Sequence, residues 1–467
     1  MPVSVPRMLA GALTALFVVA VSAAVYSIPI QRSEVLETTE LVDGLPLMRS
    51  GFGWGFHSED TFRPMQYLQV KALLTVARAS GARYTPVFRG YHALGAAALI
   101  LMFAFVANPL TWTDVAALAF ALSVLTGVQT FPTMFREAYP VNHFLVITLA
   151  CLVMFALARS RGGWIANTSA ALCLIVALQT LESGILVGVL AVAAYLAGLR
   201  GISRRTLLFM TLLLVGYMVL RIAVLPSWDN ALGERETGYG LRMLSASEQI
   251  EMFGRNPLPL YAYNVLSSML TVLLSQPVVG QWTAVASYLD GEMRPLYVLE
   301  ITTSLAATLL IAWYMFQRVR SDAASAVRQP VPLTAFAVLL ASALLSYAYV
   351  KSETMSAAGV LYALAVYVAS AELLAVLSRK RLRFGVILAV VAINAVSAGW
   401  GVRALGLHYK LQLAAHKARN EWVSAGPSNT SATSTPLASA LHDEALLWTR
   451  VNPVMLPRAA ADYLGED

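Results

Sequence analysis

Glu59 and Asp60 stand side by side, just ahead of the run Phe62-Arg63-Pro64-Met65. A carboxylate beside a hydroxyl-bearing substrate takes up the hydroxyl proton as a general base. A guanidinium fork pairs with phosphate oxygens. More cations follow in the same stretch, at Lys71, Arg78, Arg83 and Arg89, with His92 one turn beyond. A second polar group lies in Phe131–His143, where Arg136 and Glu137 adjoin and His143 follows. Glu182 sits alone among apolar neighbours in Gln179-Thr180-Leu181-Glu182-Ser183-Gly184, and Arg221 closes Gly216–Arg221. An ionisable residue in an apolar run costs about 2.5–3.5 kcal/mol at mid-membrane and marks function by default. Each group also has a plainer use. Glu59 and Asp60 suit the start of a helix opened by Pro64. Lys71 and Arg78 suit lipid headgroups. Arg136 and Glu137 suit a solvated turn, and Arg221 suits an ion pair with Glu182.

These residues hang between apolar stretches near 20 residues long, the length a bilayer core of about 30 Å requires of a helix. The chain has 467 residues, 58% hydrophobic and 13% charged, with mean hydropathy +0.65. Soluble domains carry about 25% charge. An all-α, polytopic transmembrane bundle follows, with about 11 spans. They are expected near 8–30, 88–107, 112–131, 141–158, 164–180, 183–199, 206–225, 298–316, 331–350, 355–377 and 384–402. The short loops sort by charge. Arg159 and Arg161 share one. Arg200, Arg204 and Arg205 share another, Arg318, Arg320 and Arg328 a third, and Arg379, Lys380, Arg381 and Arg383 a fourth. The positive-inside rule makes these cytoplasmic. Glu34, Glu37, Glu40, Asp43, Glu59, Asp60, Glu137 and Glu182 then face outward, the N-terminus lies inside and the C-terminus outside. The net charge of +7 suits an anionic leaflet and calls for no nucleic acid.

Residues 1–402 form the transmembrane domain, with long outer loops at 31–87 and 226–297. The first helix is expected to stay uncleaved. Pro257, Pro259, Pro277 and Gly280 break helices, so 258–295 is expected as an outer re-entrant or interfacial excursion. From Met65 an amphipathic surface helix sets Leu68, Leu73, Leu74 and Val76 against Gln69, Lys71 and Arg78. Residues 403–467 form an outside tail: a helical piece to Trp422, a Ser/Thr/Pro-rich linker, and an amphipathic piece from Leu441 that docks on the membrane or on the body of the protein. Cys151 and Cys173 lie in apolar stretches as small hydrophobes. The sequence has no Walker loop, HExxH, CxxC or GxSxG, hence no sign of ATP hydrolysis or bound zinc.

In their order, the elements Phe62-Arg63-Pro64-Met65, Arg89-Gly90-Tyr91-His92, Leu181-Glu182-Ser183-Gly184 and Tyr217–Arg221 resemble the GT-C class of polytopic glycosyltransferases, in its protein O-mannosyltransferase-like branch. The resemblance covers roughly residues 8–225, and by topology reaches about 402. It implies a bacterial plasma-membrane enzyme that passes a sugar from a polyprenyl-phosphate donor to a protein, glycan or lipid acceptor at the outer face. Asp60 or Glu59 would be the base. Arg63, Arg89, Arg136 and Arg221 would hold the donor phosphate, and His92, Glu137 and Glu182 would wall the site. No cofactor is required by it, and a divalent metal is left open. Many relatives carry an acidic pair directly after the first helix. Here Gln31-Arg32-Ser33-Glu34 stands there, so Glu34 and Asp43 also compete for the base. Two other readings are a membrane transporter or flippase, which would want mid-membrane charges and a repeat between halves, and an inactive assembly protein with the same fold.

Overall fold

The computed structural model describes residues 4–30, 32, 39, 42–46, 63–81, 83–136, 142–220, 237–239, 242–275, 278–321, 330–350, 352–379, 383–425 and 436–451. It is helical apart from one two-stranded antiparallel hairpin, β1 (Thr237–Tyr239) with β2 (Arg242–Leu244). The first half holds α1 (Val5–Ser27), α2 (Pro64–Ser80), α3 (Tyr84–Ala107), α4 (Trp112–Gly127), α5 (Thr130–Arg136), α6 (His143–Arg159), α7 (Trp164–Thr180), α8 (Ile185–Leu196) and α9 (Arg204–Val219). The second half holds α10 (Ala246–Phe253), α11 (Leu258–Leu273), α12 (Val278–Leu289), α13 (Pro295–Ser321), α14 (Pro330–Leu345), α15 (Ser356–Arg379), α16 (Arg383–Ala425) and α17 (Pro436–Val451).

Local chemistry sets the boundaries. Thr111 and Asp114 form a reciprocal capping box that starts α4. The Asn142 side chain accepts the Leu145 amide to start α6, and Ser203 does the same for α9 with Thr206. Such caps satisfy amides that have no partner within the helix. Gly81 ends α2 in the left-handed conformation, which glycine adopts without strain.

Among the described residues five helices are long and apolar enough to cross a membrane, the span over α15 being the most buried of them. Val360 through Val366 are buried all round that helix, as befits a central helix rather than a lipid-facing one. Six further apolar helices have 10–17 residues. At 1.5 Å per residue, a 16-residue helix covers about 24 Å. These facts make the chain an integral membrane protein built as a helical bundle.

Helix ends gather at two poles. At one, Arg159 donates to the Val106 carbonyl, the Gly201 amide donates to Ala158 O, and Arg318 pairs with Glu372 at 3.2 Å. This is the basic pole. At the other, Asn264 donates to Tyr347 O and Ala348 O, and the Gln129 amide donates to Ser275 Oγ. There Arg403 is buried, stacked on Trp400 and donating to Glu300 O, Thr303, Ser304 and Ser275 O. Among the described residues this cation makes four hydrogen bonds to the protein, three from Nη1 and one from Nη2.

Several boundaries depart from expectation. The 112–131 stretch divides at Val128, which is in extended backbone; the preceding Gly127 packs against Trp400, where a Cβ would sit 2.9 Å from its ring. Helix α14 stops at Leu345, and a 3-10 turn (Ser352–Met355) precedes α15. The expected break in 258–295 falls at Ser275, with φ +51, between α11 and α12. The boundary set at residue 403 falls inside α16, whose 43 residues span roughly 64 Å, twice a bilayer core.

A second, smaller core sits at the Arg403 pole. Val70 and Leu74 of α2 join Ile30, Val42, Phe88, Trp422, Leu437, Leu441 and Ala445. The buried stripe of α2 is Val70, Leu74 and Ala77, whereas Val76 is exposed. So α17 docks on the body of the protein. Its Glu444 accepts the Thr85 amide at 3.1 Å, which caps α3 from a distance of 359 residues in sequence. Burial raises the Glu444 pKa, opposed by the Thr85 and Tyr84 amides and by Arg83.

Trp422→Ala removes a fully buried indole and its bond to Ile30 O. It is expected to cost about 3–5 kcal/mol, read as a lower melting temperature in detergent. An unchanged melting temperature would contradict the docking. For Glu444 the sign follows from linkage: with a raised pKa, its contribution is whole below the ordinary glutamate value and is lost as pH climbs through the raised one. Glu444→Gln, permanently neutral, should therefore melt above wild type at neutral pH and together with it in acid.

Candidate functional site

Four of the polar residues singled out by sequence form two pairs at the Arg403 pole, Arg63 with Glu182 and Arg89 with His92. The first joins α2 to the end of α7. Arg63 is the residue before Pro64, and its fork donates Nε to Glu182 Oε1 at 3.2 Å and Nη2 to Oε2 at 3.0 Å. Both side chains stay part-exposed, at 25% and 31%. Glu182 begins a 3-10 turn (Glu182–Gly184) that folds back on the last carbonyls of α7. A Cβ at Gly184 would lie 2.4 Å from the Ala177 carbonyl. A glycine two residues after Glu182 is thus a steric requirement of that turn. Ser183 Oγ is buried there without a hydrogen-bond partner.

The second pair lies in the first turns of α3. Arg89 is fully buried, and His92 nearly so. Arg89 Nη1 meets His92 Nδ1 at 3.2 Å, and Nη2 donates to Pro29 O at 2.6 Å. Arg89 Nε and His92 Nε2 have no hydrogen-bond partner, and no carboxylate pairs with Arg89 among the described residues. Leaving such groups unsatisfied costs about 1–3 kcal/mol each, more for a charge.

Helix α2 bridges the pairs. Gln69, about 9 Å along the helix from Arg63, accepts from Tyr91 OH at 2.6 Å while donating to Met65 O. The Tyr91 ring stands 5.9 Å from that of His92. Gly95 lets α3 approach α6, where a Cβ would meet Leu145 at 2.6 Å. Asn142 caps α6 there, and His143 at its head is buried. Gln66 Oε1 and Thr85 Oγ1 are further buried acceptors without partners at this pole.

Lys71 and Arg78 do not reach for lipid. Lys71 donates to the Val42 and Asp43 carbonyls, and Arg78 pairs with the Asp43 carboxylate at 2.6 Å. The hydrogen bonds to Asp43 and then Tyr84 raise the Arg78 pKa. Both cations pin the loop after α1 onto the surface helix, because that loop supplies the acceptors. Asp43 is thereby engaged in structure.

Glu34, Glu37, Glu40, Glu59, Asp60, Glu137 and Arg221, together with the Arg136 side chain, lie outside the described residues. Glu182 is paired with Arg63; whether it also meets Arg221, one of the two uses weighed for that arginine, lies outside the described residues. Among the described residues no three His, Cys, Asp or Glu side chains gather as metal ligands would. Sequence reasoning gave no site role to Gln69, Tyr91, Ser183 or the Pro29 carbonyl. Tyr91 and Ser183 stand inside motifs quoted for their neighbours, but Gln69 and Pro29 carry no signal of their own. No family model, curated protein or solved structure matches the chain.

A double-mutant cycle on Arg63→Gln and Glu182→Gln should return a coupling of about 1 kcal/mol in stability. Additive single effects would mean that the pair carries no energy.

Proposed function

We propose that this chain is a GT-C-like glycosyltransferase that moves a sugar from a polyprenyl-phosphate donor to an acceptor at the outer membrane face. About 11 spans, a cytoplasmic N-terminus, an outward C-terminus and a bacterial plasma membrane belong to the same reading. The observation that carries it is Arg89: a guanidinium buried in the first turns of a helix, with Nε unpartnered and no carboxylate paired with it among the described residues. A buried cation costs several kcal/mol unless an anion compensates it. A phosphate at a pole of the bundle supplies that anion and can be reached from the bilayer.

The chemistry divides accordingly. A base from the first loop, Asp60 or Glu59, takes the acceptor hydroxyl proton. The oxygen attacks the anomeric carbon, the bond from that carbon to the phosphate oxygen breaks, and the electron pair leaves with the polyprenyl phosphate. Arg89, with His92 orienting it, stabilises the charge that develops on the leaving phosphate. Arg63 is held in a fixed pose by Glu182 and is a second cation at the rim. One observation favours the inactive assembly protein instead: Glu182 already neutralises Arg63.

Purified protein in liposomes, given radiolabelled polyprenyl-phosphate sugars, tests the proposal. Arg89→Gln should lower transfer or donor hydrolysis about 10²–10³-fold. Asp60→Asn should lower it by about 10²–10⁴, with melting temperature retained. Full activity in Arg89→Gln would remove Arg89 from the site. Absence of turnover with every donor in folded wild type would favour the assembly protein.

A further inference from the structure

The basic pole holds a feature unconnected with the Arg89 site. Helices α8, α9 and α14 enclose a groove of about 360 Å³ between Val192, Leu196, Leu207, Met210, Leu214 and Ala337. Its lining is apolar except for Thr211, whose hydroxyl is spent on the Leu207 carbonyl. Val192 is 44% and Leu196 69% exposed, so the groove opens sideways. It ends at the loop joining α8 to α9, where Arg204 lies one turn before Leu207.

That mouth carries uncompensated positive charge. Arg204 and Arg205 are exposed and make no ion pair or hydrogen bond among the described residues. Arg200 is fixed nearby, stacked at 4.0 Å on Tyr195 and donating to its carbonyl. The Gly201 amide on Ala158 O draws in the neighbouring loop, which carries Arg161. Asn167 Oδ1 accepts both the Ser203 amide and the Thr206 hydroxyl, locking the head of α9 against α7. Between Glu137 and Asp229 the one acidic residue is Glu182, at the other pole.

We infer that this groove binds an anionic phospholipid, with an acyl chain between α8, α9 and α14 and the headgroup phosphate on Arg204 and Arg205. Apolar volume alone would accept any lipid. Two free guanidiniums at its end select a headgroup with net negative charge, and an acyl chain selects a lipid over a free anion. The exposed Trp164 at the same pole suits the headgroup level.

The full chain, purified in detergent, would be offered phosphatidylglycerol or phosphatidylcholine with matched acyl chains, and bound lipid counted by native mass spectrometry. Phosphatidylglycerol should be retained roughly 30-fold better, as two headgroup-facing arginines imply. The double variant Arg204→Gln/Arg205→Gln should erase that preference. Val192→Trp, which fills the groove from an exposed position, should lower retention of both lipids, and Ala337→Phe fills it from the opposite wall if the first variant fails to fold. Equal retention of the two lipids by wild type would overturn the inference. So would phosphatidylglycerol held undiminished by the arginine variant or by a folded groove-filling variant, or its full displacement by inorganic phosphate.

Discussion

The end of α1 sets a demand that much of the Arg403 pole answers. The last carbonyls of a helix have no partner within it, and Pro29 places Ile28 in extended backbone, so the chain leaves the helix without a further turn. Three carbonyls within four residues are then taken from three directions. Trp448 donates to Ser27 O, Arg89 to Pro29 O and Trp422 to Ile30 O. One strand of backbone thereby joins the N-terminal helix, the candidate site on α3 and the C-terminal segment. The second core closes over that junction, with Ile30 and Phe88 packed against Trp422 and Leu441.

The two buried arginines at this pole differ in how far their surroundings satisfy them. Arg403 donates to backbone and hydroxyl oxygens of α13 and the α11–α12 break, and its face is covered by Trp400. Arg89 is as deeply buried but holds one carbonyl and one imidazole, with Nε idle. Among the described residues the same side chain makes four hydrogen bonds in one place and two in the other. What differs is the supply of neighbouring acceptors.

Much of the architecture was legible beforehand because its cause is local. Apolar runs of helical length mark spans in any context, and 164–180 matches α7 residue for residue. The proline and glycine cluster in 258–295 foretold a break, found at Ser275. The Phe-Arg-Pro element announced the start of α2. Arg89 and His92, three residues apart, had to share a helix face. Less was legible in α2, where the apolar set Leu68, Leu73, Leu74 and Val76 is split: Leu74 packs into the second core and Val76 stays exposed. A hydrophobic pattern gives a face to within a residue or so, and the docking partner decides the rest.

The sequence by itself determined a helical membrane protein, the sorting of charge between its loops, and the residues from which a polar site could be drawn. Period, composition and helix-breaking chemistry are properties of short segments. Only the tertiary structure decided that Glu182 pairs with Arg63 across 119 residues, that Lys71 and Arg78 clasp the first loop, and that α17 caps α3. Those choices depend on which unsatisfied donor meets which unsatisfied acceptor once helices pack. Packing brings together groups whose separation along the chain carries no trace of their meeting.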